Sequence, residues 1–387
     1  MPFIVRVCVF ACVLFVAAGT VQQVHAEPGI TDTRITLGMS APLTGPSAAY
    51  GMDMRQTIAA YFDSVNKAGG VHGRRLELEV LDDGYETERT VANTRSLIKD
   101  KGVFALLGYY GSSPTTEAMN KVFGPAKVPL VGTISGAGTL RESLVLNANG
   151  RYMFNVRTSY ADETAVIVNY LASMGIRRVA VFYQNDGFGT SGLDGVRAAL
   201  AQRKLEPIAV ATVERNALDV AQAVETIGSA NPQAVVMVTL YKATAAFIKG
   251  MKEGGHNPLF MALSPVGTEQ LIQELGSVSP RGLGISQVVP YPWSAAIPVV
   301  REYQKVSAKP GVYSYYGMEA YLMARTMVEG LRRMPPRDLS REQLVTALEG
   351  LGNFDLGGFK ISYGPSSRQG ASFVELTVLG ANGKLLK

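Results

Sequence analysis

From Ile35 onward, short apolar runs rich in β-branched residues alternate with longer amphipathic stretches. Strands are expected at 35–39, 76–81, 103–107, 128–131, 179–183, 208–213, 234–239 and 259–262. Continuous apolar runs of this length suit strands covered on both faces. Between the first two, residues 51–67 set Met54, Ile58, Tyr61, Phe62 and Val65 on one face at helical spacing. Strand and helix in regular succession imply parallel sheets with helices on both sides.

The rhythm changes at two places. Residues 147–151 read as a loop and 152–156 as a strand, and a fresh strand and helix series starts at Ala161. Residues 282–290 form an extended segment, followed by Tyr291-Pro292-Trp293 and three helical stretches, 296–307, 315–333 and 340–350. The chain ends in extended runs at 354–363 and 373–379. The pattern predicts an α/β protein of two doubly wound parallel-sheet lobes. Residues 27–155 plus 290–355 make the first lobe and 156–285 plus 359–387 the second, with crossings near 155, 285 and 358. The length exceeds what one hydrophobic core usually organises, which also favours two lobes.

Residues 1–26 stand apart: Arg6 precedes an apolar stretch from Val7 to Ala18, and small residues lie at Val24-His25-Ala26. This is the outline of a cleaved secretory signal peptide. The apolar stretch is short of the ~20 residues a membrane-spanning helix needs. Both cysteines, Cys8 and Cys12, lie inside this leader, so no disulfide or thiolate site is expected beyond it. Its loss removes one arginine and lowers the net charge from +5 to +4. The basic residues are scattered, with no stripe interleaved with aromatics, which argues against nucleic acid as a partner.

Three motifs suggest chemistry and then yield to simpler readings. Gly187-Phe188-Gly189-Thr190-Ser191-Gly192 has the spacing of a dinucleotide fingerprint, but Gln184-Asn185-Asp186 separate it from its strand. A glycine-rich, ligand-facing loop is the better account. Histidines 72 and 256 lie in glycine-rich turns and form no zinc set. Ser112, Ser113 and Ser135 lack a nucleophile elbow and a base, so hydrolase chemistry is not expected. Asp82-Asp83 follows a strand and reads as a cap or solvated turn. No cofactor, metal or catalytic group is expected.

What remains is the set of loops at the carboxyl ends of strands, where open α/β sheets bind ligands. In the first series these are 40–50, 109–113 and 132–136; in the second, 184–189, 240–242 and 263–265. Gly108-Tyr109-Tyr110-Gly111-Ser112-Ser113-Pro114 reads as an anion cradle, with Ser113 capping a helix and Pro114 at its first position. Hydroxyl, glycine and aromatic side chains together suit a small solute with an apolar body and polar ends.

The ordered segments 35–45, Ala49-Tyr50-Gly51, 66–73, Leu81-Asp82-Asp83, 108–113, Phe188-Gly189 and 317–321 resemble the branched-chain amino acid binding proteins. These are periplasmic solute-binding components of ABC transporters with the type I binding-protein fold. The resemblance covers essentially all of the chain beyond the leader. It implies a monomeric periplasmic protein that closes on a small solute and delivers it to a permease; a sensory module of the same fold is the alternative. It further implies that Ser112 and Ser135 offer hydroxyls to a ligand carboxylate and that Thr133 presents its backbone or hydroxyl to a second polar group, with Ser113 a further ligand-site residue. Tyr50 from one lobe, with Phe188 and Tyr241 from the other, would wall the solute, and Tyr110 and Tyr313 are further candidate contacts. Amino acid binders of this family usually carry a glutamate for the ligand ammonium where this chain has Ser264. Aliphatic or aromatic carboxylates and amides therefore compete with amino acids as the solute, unless Glu269 or another acid reaches in.

Overall fold

The computed structural model describes residues 27–276, 278, 281–307, 311–380 and 385–386. The expected signal peptide, 1–26, lies outside them. A five-stranded parallel sheet is built from β1 (Arg34–Ala41), β2 (Arg75–Asp82), β3 (Ala105–Tyr110), β4 (Leu130–Ile134) and β5 (Met153–Phe154). Its order is β2-β1-β3-β4-β5. Helices α1 (Ala48–Lys67), α2 (Thr87–Lys99) and α3 (Ser112–Ala118) connect its strands. Strands β1, β3 and β4 carry buried residues along almost their whole length, as strands sandwiched between helix layers must.

The second sheet starts after α4 (Tyr160–Ser173). Its parallel part comprises β6 (Val179–Gln184), β7 (Ala209–Val213), β8 (Ala234–Val238), β9 (Leu259–Ala262) and β10 (Gly284–Gln287). Helices α5 (Gly187–Ala201), α6 (Ala221–Ser229), α7 (Tyr241–Glu253) and α8 (Thr268–Leu275) link them. The chain then returns to the first sheet. Helices α9 (Pro298–Val306), α10 (Tyr315–Arg333) and α11 (Arg341–Glu349) follow, with α10 packed on α1, β3 and β4. Buried residues lie all around α10, because it sits between α1 and the sheet.

The last crossing falls later than the expected position near 358. A three-stranded antiparallel sheet of β11 (Asn353–Asp355), β12 (Lys360–Gly364) and β13 (Ser367–Gly370) intervenes, and β13 lies against β5. The reason is the alternation in β12, which turns Ile361 and Tyr363 inward; the Tyr363 ring meets Phe154 edge-on at 5.3 Å. Only with β14 (Glu375–Leu379) does the chain rejoin the second sheet. There it pairs antiparallel with β10 and is followed by β15 (Leu385–Leu386). Crossings one and three run side by side: Asn155 N–H donates to Arg368 O at 3.1 Å and Ala371 N–H to Val156 O at 3.0 Å.

Candidate functional site

The strand ends of the two sheets face each other across a closed cleft, and in the first sheet strand order reverses between β1 and β3. Register places Tyr109 opposite Thr133 and Tyr110 opposite Ile134. The residues that follow therefore emerge side by side. The hydroxyls of Ser112 and Ser135 lie 2.7 Å apart, both buried. Strands β3 and β4 each run about three residues beyond the apolar cores seen in the sequence, so Tyr109, Tyr110 and Thr133 stand in strands and not in loops.

The expected capping role of Ser113 changes. Helix α3 begins at Ser112 with Gly111 in the cap position, at φ 92°. Ser113 and Pro114 are thus the second and third helical residues, still within the first turn, where a missing N–H breaks no helical bond. Freed from capping, the Ser113 hydroxyl reaches the other lobe and accepts the Gly187 N–H at 2.9 Å. The Thr133 hydroxyl pairs with Thr115 at 2.9 Å, buried inside the first lobe.

An aromatic wall fills the centre. Tyr50 stacks between Tyr110 (5.4 Å, 22°) and Tyr316 (4.4 Å, 13°), while Tyr241 and Tyr85 meet Tyr50 and Tyr110 edge-on at 5.2 and 5.0 Å. The Tyr50 hydroxyl donates to Val266 O at 2.6 Å and accepts the Tyr241 N–H at 3.3 Å, so one buried phenol ties the lobes together. Burial raises the pKa of Tyr50, Tyr85, Tyr110 and Tyr316 well above the ordinary value, and all four remain neutral phenols. The Tyr110 hydroxyl is buried without a hydrogen-bond partner. Phe188 packs on Tyr160 at 5.2 Å. Tyr313 does not join this wall: it packs on Tyr303 at 5.8 Å, and Tyr316, one helical turn on, takes the place expected of it.

On the second-lobe side Ser264 lies beside an ionic cluster. Arg157, buried, donates through Nη2 to Glu163 Oε1 at 2.6 Å and to the Ser264 hydroxyl. Glu163 Oε2 accepts the Ser264 N–H at 2.9 Å and the Ser286 hydroxyl at 2.6 Å. Glu319, from α10, stands 3.6 Å from Arg157 Nη1. Further out, Gln184 Nε2 donates to the Tyr85 hydroxyl at 3.0 Å and Arg215 Nη1 to the Thr87 hydroxyl at 2.7 Å, both across the cleft. Tyr85 and Gln184 end strand-and-turn units, so the strand-end rule extends to them. Arg157, Tyr160, Glu163, Tyr316 and Glu319 come from a crossing and two helices and give no such signal.

The motifs set aside in the sequence have structural duties. A Cβ at Gly189 would lie 1.8 Å from Gln184 O, and one at Gly192 would lie 2.4 Å from the Val238 side chain. Close packing of the turn and of α5 on β8 explains that glycine spacing. Asp82 accepts from Leu43 N, Thr44 and Gly84 N, and from Arg89 at 2.8 Å; despite partial desolvation these bonds hold its carboxyl well below the usual range. Asp83 is buried, accepting from Ser40 at 2.7 Å and Tyr85 N at 2.9 Å, and burial pushes it up to about 6. His72 Nε2 meets Leu331 O at 3.0 Å.

Comparison with known proteins agrees with this architecture. A family model described as periplasmic binding protein matches residues 34–384. An amino acid binding protein of Pseudomonas aeruginosa is 24% identical over 62% of the chain and 63% of its own length. The Leu/Ile/Val-binding protein BraC3 of Rhizobium johnstonii is 29% identical over 43% of the chain and 44% of its own length. The chain thus spans less than two thirds of these curated relatives. Among solved structures, a possible leucine/isoleucine/valine-binding protein from Rhodopirellula baltica superposes with a TM-score of 0.83 at 30% identity, covering 94% of this chain and 98% of that one. A substrate-binding periplasmic protein from Ralstonia solanacearum gives 0.84 at 29%, covering 91% and 99%.

Proposed function

The chain belongs to the periplasmic binding protein family, and from that premise we propose that it captures a small, partly apolar carboxylate solute between its lobes and delivers it to an ABC permease. The observation that carries this reading is the buried hydroxyl pair Ser112 and Ser135 on adjacent strand ends, backed by the stack of neutral tyrosines. Two hydroxyls that now bond each other can both turn to donate to one carboxylate. The aromatic wall would take the apolar body, as in mostly apolar pockets with a few placed polar groups. Ligand contacts to both lobes favour the closed arrangement over the open one, which is how a solute would drive closure.

The test is calorimetric titration of protein stripped of copurified solute by unfolding and refolding. Some small carboxylate is expected to bind and to raise Tm by mass action. Ser112→Ala combined with Ser135→Ala is expected to weaken that binding by at least tenfold, since about 1.5–3 kcal/mol attends each hydrogen bond to a charged group. A folded protein that gives no heat with amino acids, organic acids or amides overturns the reading. Delivery is tested by solute uptake in cells lacking the protein: uptake restored by the wild type and not by the double variant supports it.

A further inference from the structure

We infer that Arg157 is the second anchor of the solute site, and that it selects a solute whose other polar end is a hydrogen-bond acceptor, a carbonyl or carboxylate oxygen, in place of an ammonium. This rests on the proposed capture of a carboxylate at Ser112 and Ser135. The Arg157 side chain is 1% exposed, and its Nε and Nη1 are both buried without a hydrogen-bond partner. A guanidinium has five N–H donors, and leaving buried donors unsatisfied is costly. Nη2 donates to Glu163 and Ser264, while Nη1 is ion-paired with Glu319 at 3.6 Å, beyond hydrogen-bond reach.

The position of these donors points to the solute. The Arg157 guanidinium lies over the Tyr160 ring, 5.5 Å from its centroid, and Tyr160 also neighbours Phe188, Gly136 and the Ser112 hydroxyl. The Tyr316 hydroxyl, from the aromatic wall, donates to Pro265 O at 2.8 Å, next to Ser264. The hydroxyl pair and the unused guanidinium donors therefore flank one aromatic body. That arrangement suits a short solute with an acceptor at each end.

Within the Arg157 cluster an ammonium would find no acid that the guanidinium does not already face. Both Glu163 oxygens are occupied, by Arg157 and by Ser264 and Ser286. Glu319 Oε1 has no hydrogen-bond partner and faces Arg157 Nη1, so an ammonium entering there would meet the guanidinium. Burial also pushes the Glu319 carboxyl up to about 7, against the pull of Arg157, which weakens it as a partner for a cation.

Four probes separate the alternatives by calorimetry at one pH on the refolded wild type. They are leucine, its oxo analogue 4-methyl-2-oxopentanoate, 4-methylpentanoate, which has no second polar group, and the dicarboxylate glutarate. The oxo acid or glutarate is expected to bind at least tenfold more tightly than both leucine and 4-methylpentanoate. Arg157→Lys keeps the charge and loses the fork. It is expected to cut binding of the favoured probe at least tenfold while changing 4-methylpentanoate less than threefold.

Leucine binding as tightly as the oxo acid overturns the inference and leaves carboxylate capture standing. So does an Arg157→Lys protein whose ratio between favoured probe and 4-methylpentanoate is unchanged. If Arg157→Lys does not fold, the wild-type ranking alone decides. Leucine binding abolished by Glu319→Gln identifies Glu319 as an ammonium site and also overturns the inference. Failure of every carboxylate to bind removes the proposed function itself.

Discussion

At the scale of single residues, the closed cleft depends on a few buried polar atoms that cross it. The Tyr50 hydroxyl satisfies Val266 O and Tyr241 N–H together, so Tyr50→Phe leaves both without their partner. The expected loss is about 1–3 kcal/mol of closed-state stability. It should be read as a lowered Tm and a solute affinity weaker by roughly 5- to 150-fold; an unchanged affinity would show that the lobes close differently. A second prediction concerns acids. Burial pushes Glu269 up to about 7 against the pull of the Tyr315 N–H, with the Asp53 charge adding to it. Glu319 is raised to about the same value. The folded chain thus keeps protons that the unfolded chain releases near the ordinary value of 4.5. Their contribution is full below 4.5 and is lost as pH rises to about 7, because the native state binds more protons across that window. Urea midpoints measured from pH 4.5 to 8 should fall through this range. Glu269→Gln with Glu319→Gln should flatten the fall, and an unaltered slope would assign it to other groups.

Among elements, the paired crossings are where sequence and structure part. Gly370 closes β13 at φ 82°, and a Cβ there would stand 2.3 Å from Asn155 O, on the neighbouring crossing. Gly370→Ala is expected to cost at least about 1–2 kcal/mol from the left-handed conformation alone, with the clash added. Denaturant unfolding checks this, and a stability within error of the wild type would mean that the two crossings are not held so close. The extended run at 354–363 was legible as β structure because it alternates. Its allegiance to β5 was not, because period-two alternation reports burial of one face and does not name the partner.

For the whole molecule, closure brings residues far apart in the chain within bonding distance. Ser113 Oγ meets Gly187 N–H, and a Cβ built on Gly187 lies 3.8 Å from the Ser113 Cα. Ser113→Cys with Gly187→Cys is therefore expected to form a disulfide in the closed state, since both cysteines of the natural chain lie in the first 12 residues. The oxidised double variant, made without the leader, should neither release bound solute on dialysis nor admit it when empty. Reduction should restore exchange, and free exchange in the oxidised form would show that solute passes without the lobes separating.

The alternating elements, the two series and the hydroxyl and aromatic character of the strand ends were all legible along the chain. Each of these is written in local periodicity, turn residues and spacing, which act over a few residues. The strand-end rule marked the loops that carry Ser112, Ser135, Tyr50, Phe188 and Tyr241, because parallel sheets gather their strand ends on one edge, and the family resemblance singled out these residues within them. Packing alone sets Tyr316 and not Tyr313 in the aromatic wall, lets Ser113 bridge the lobes, and brings Arg157 beside Ser264, 107 residues away in the chain. A buried charge is legible only through its partners. Those of Arg157 come from a helix, a strand-end turn and the far side of the cleft, and no local pattern of apolar and polar positions encodes their meeting.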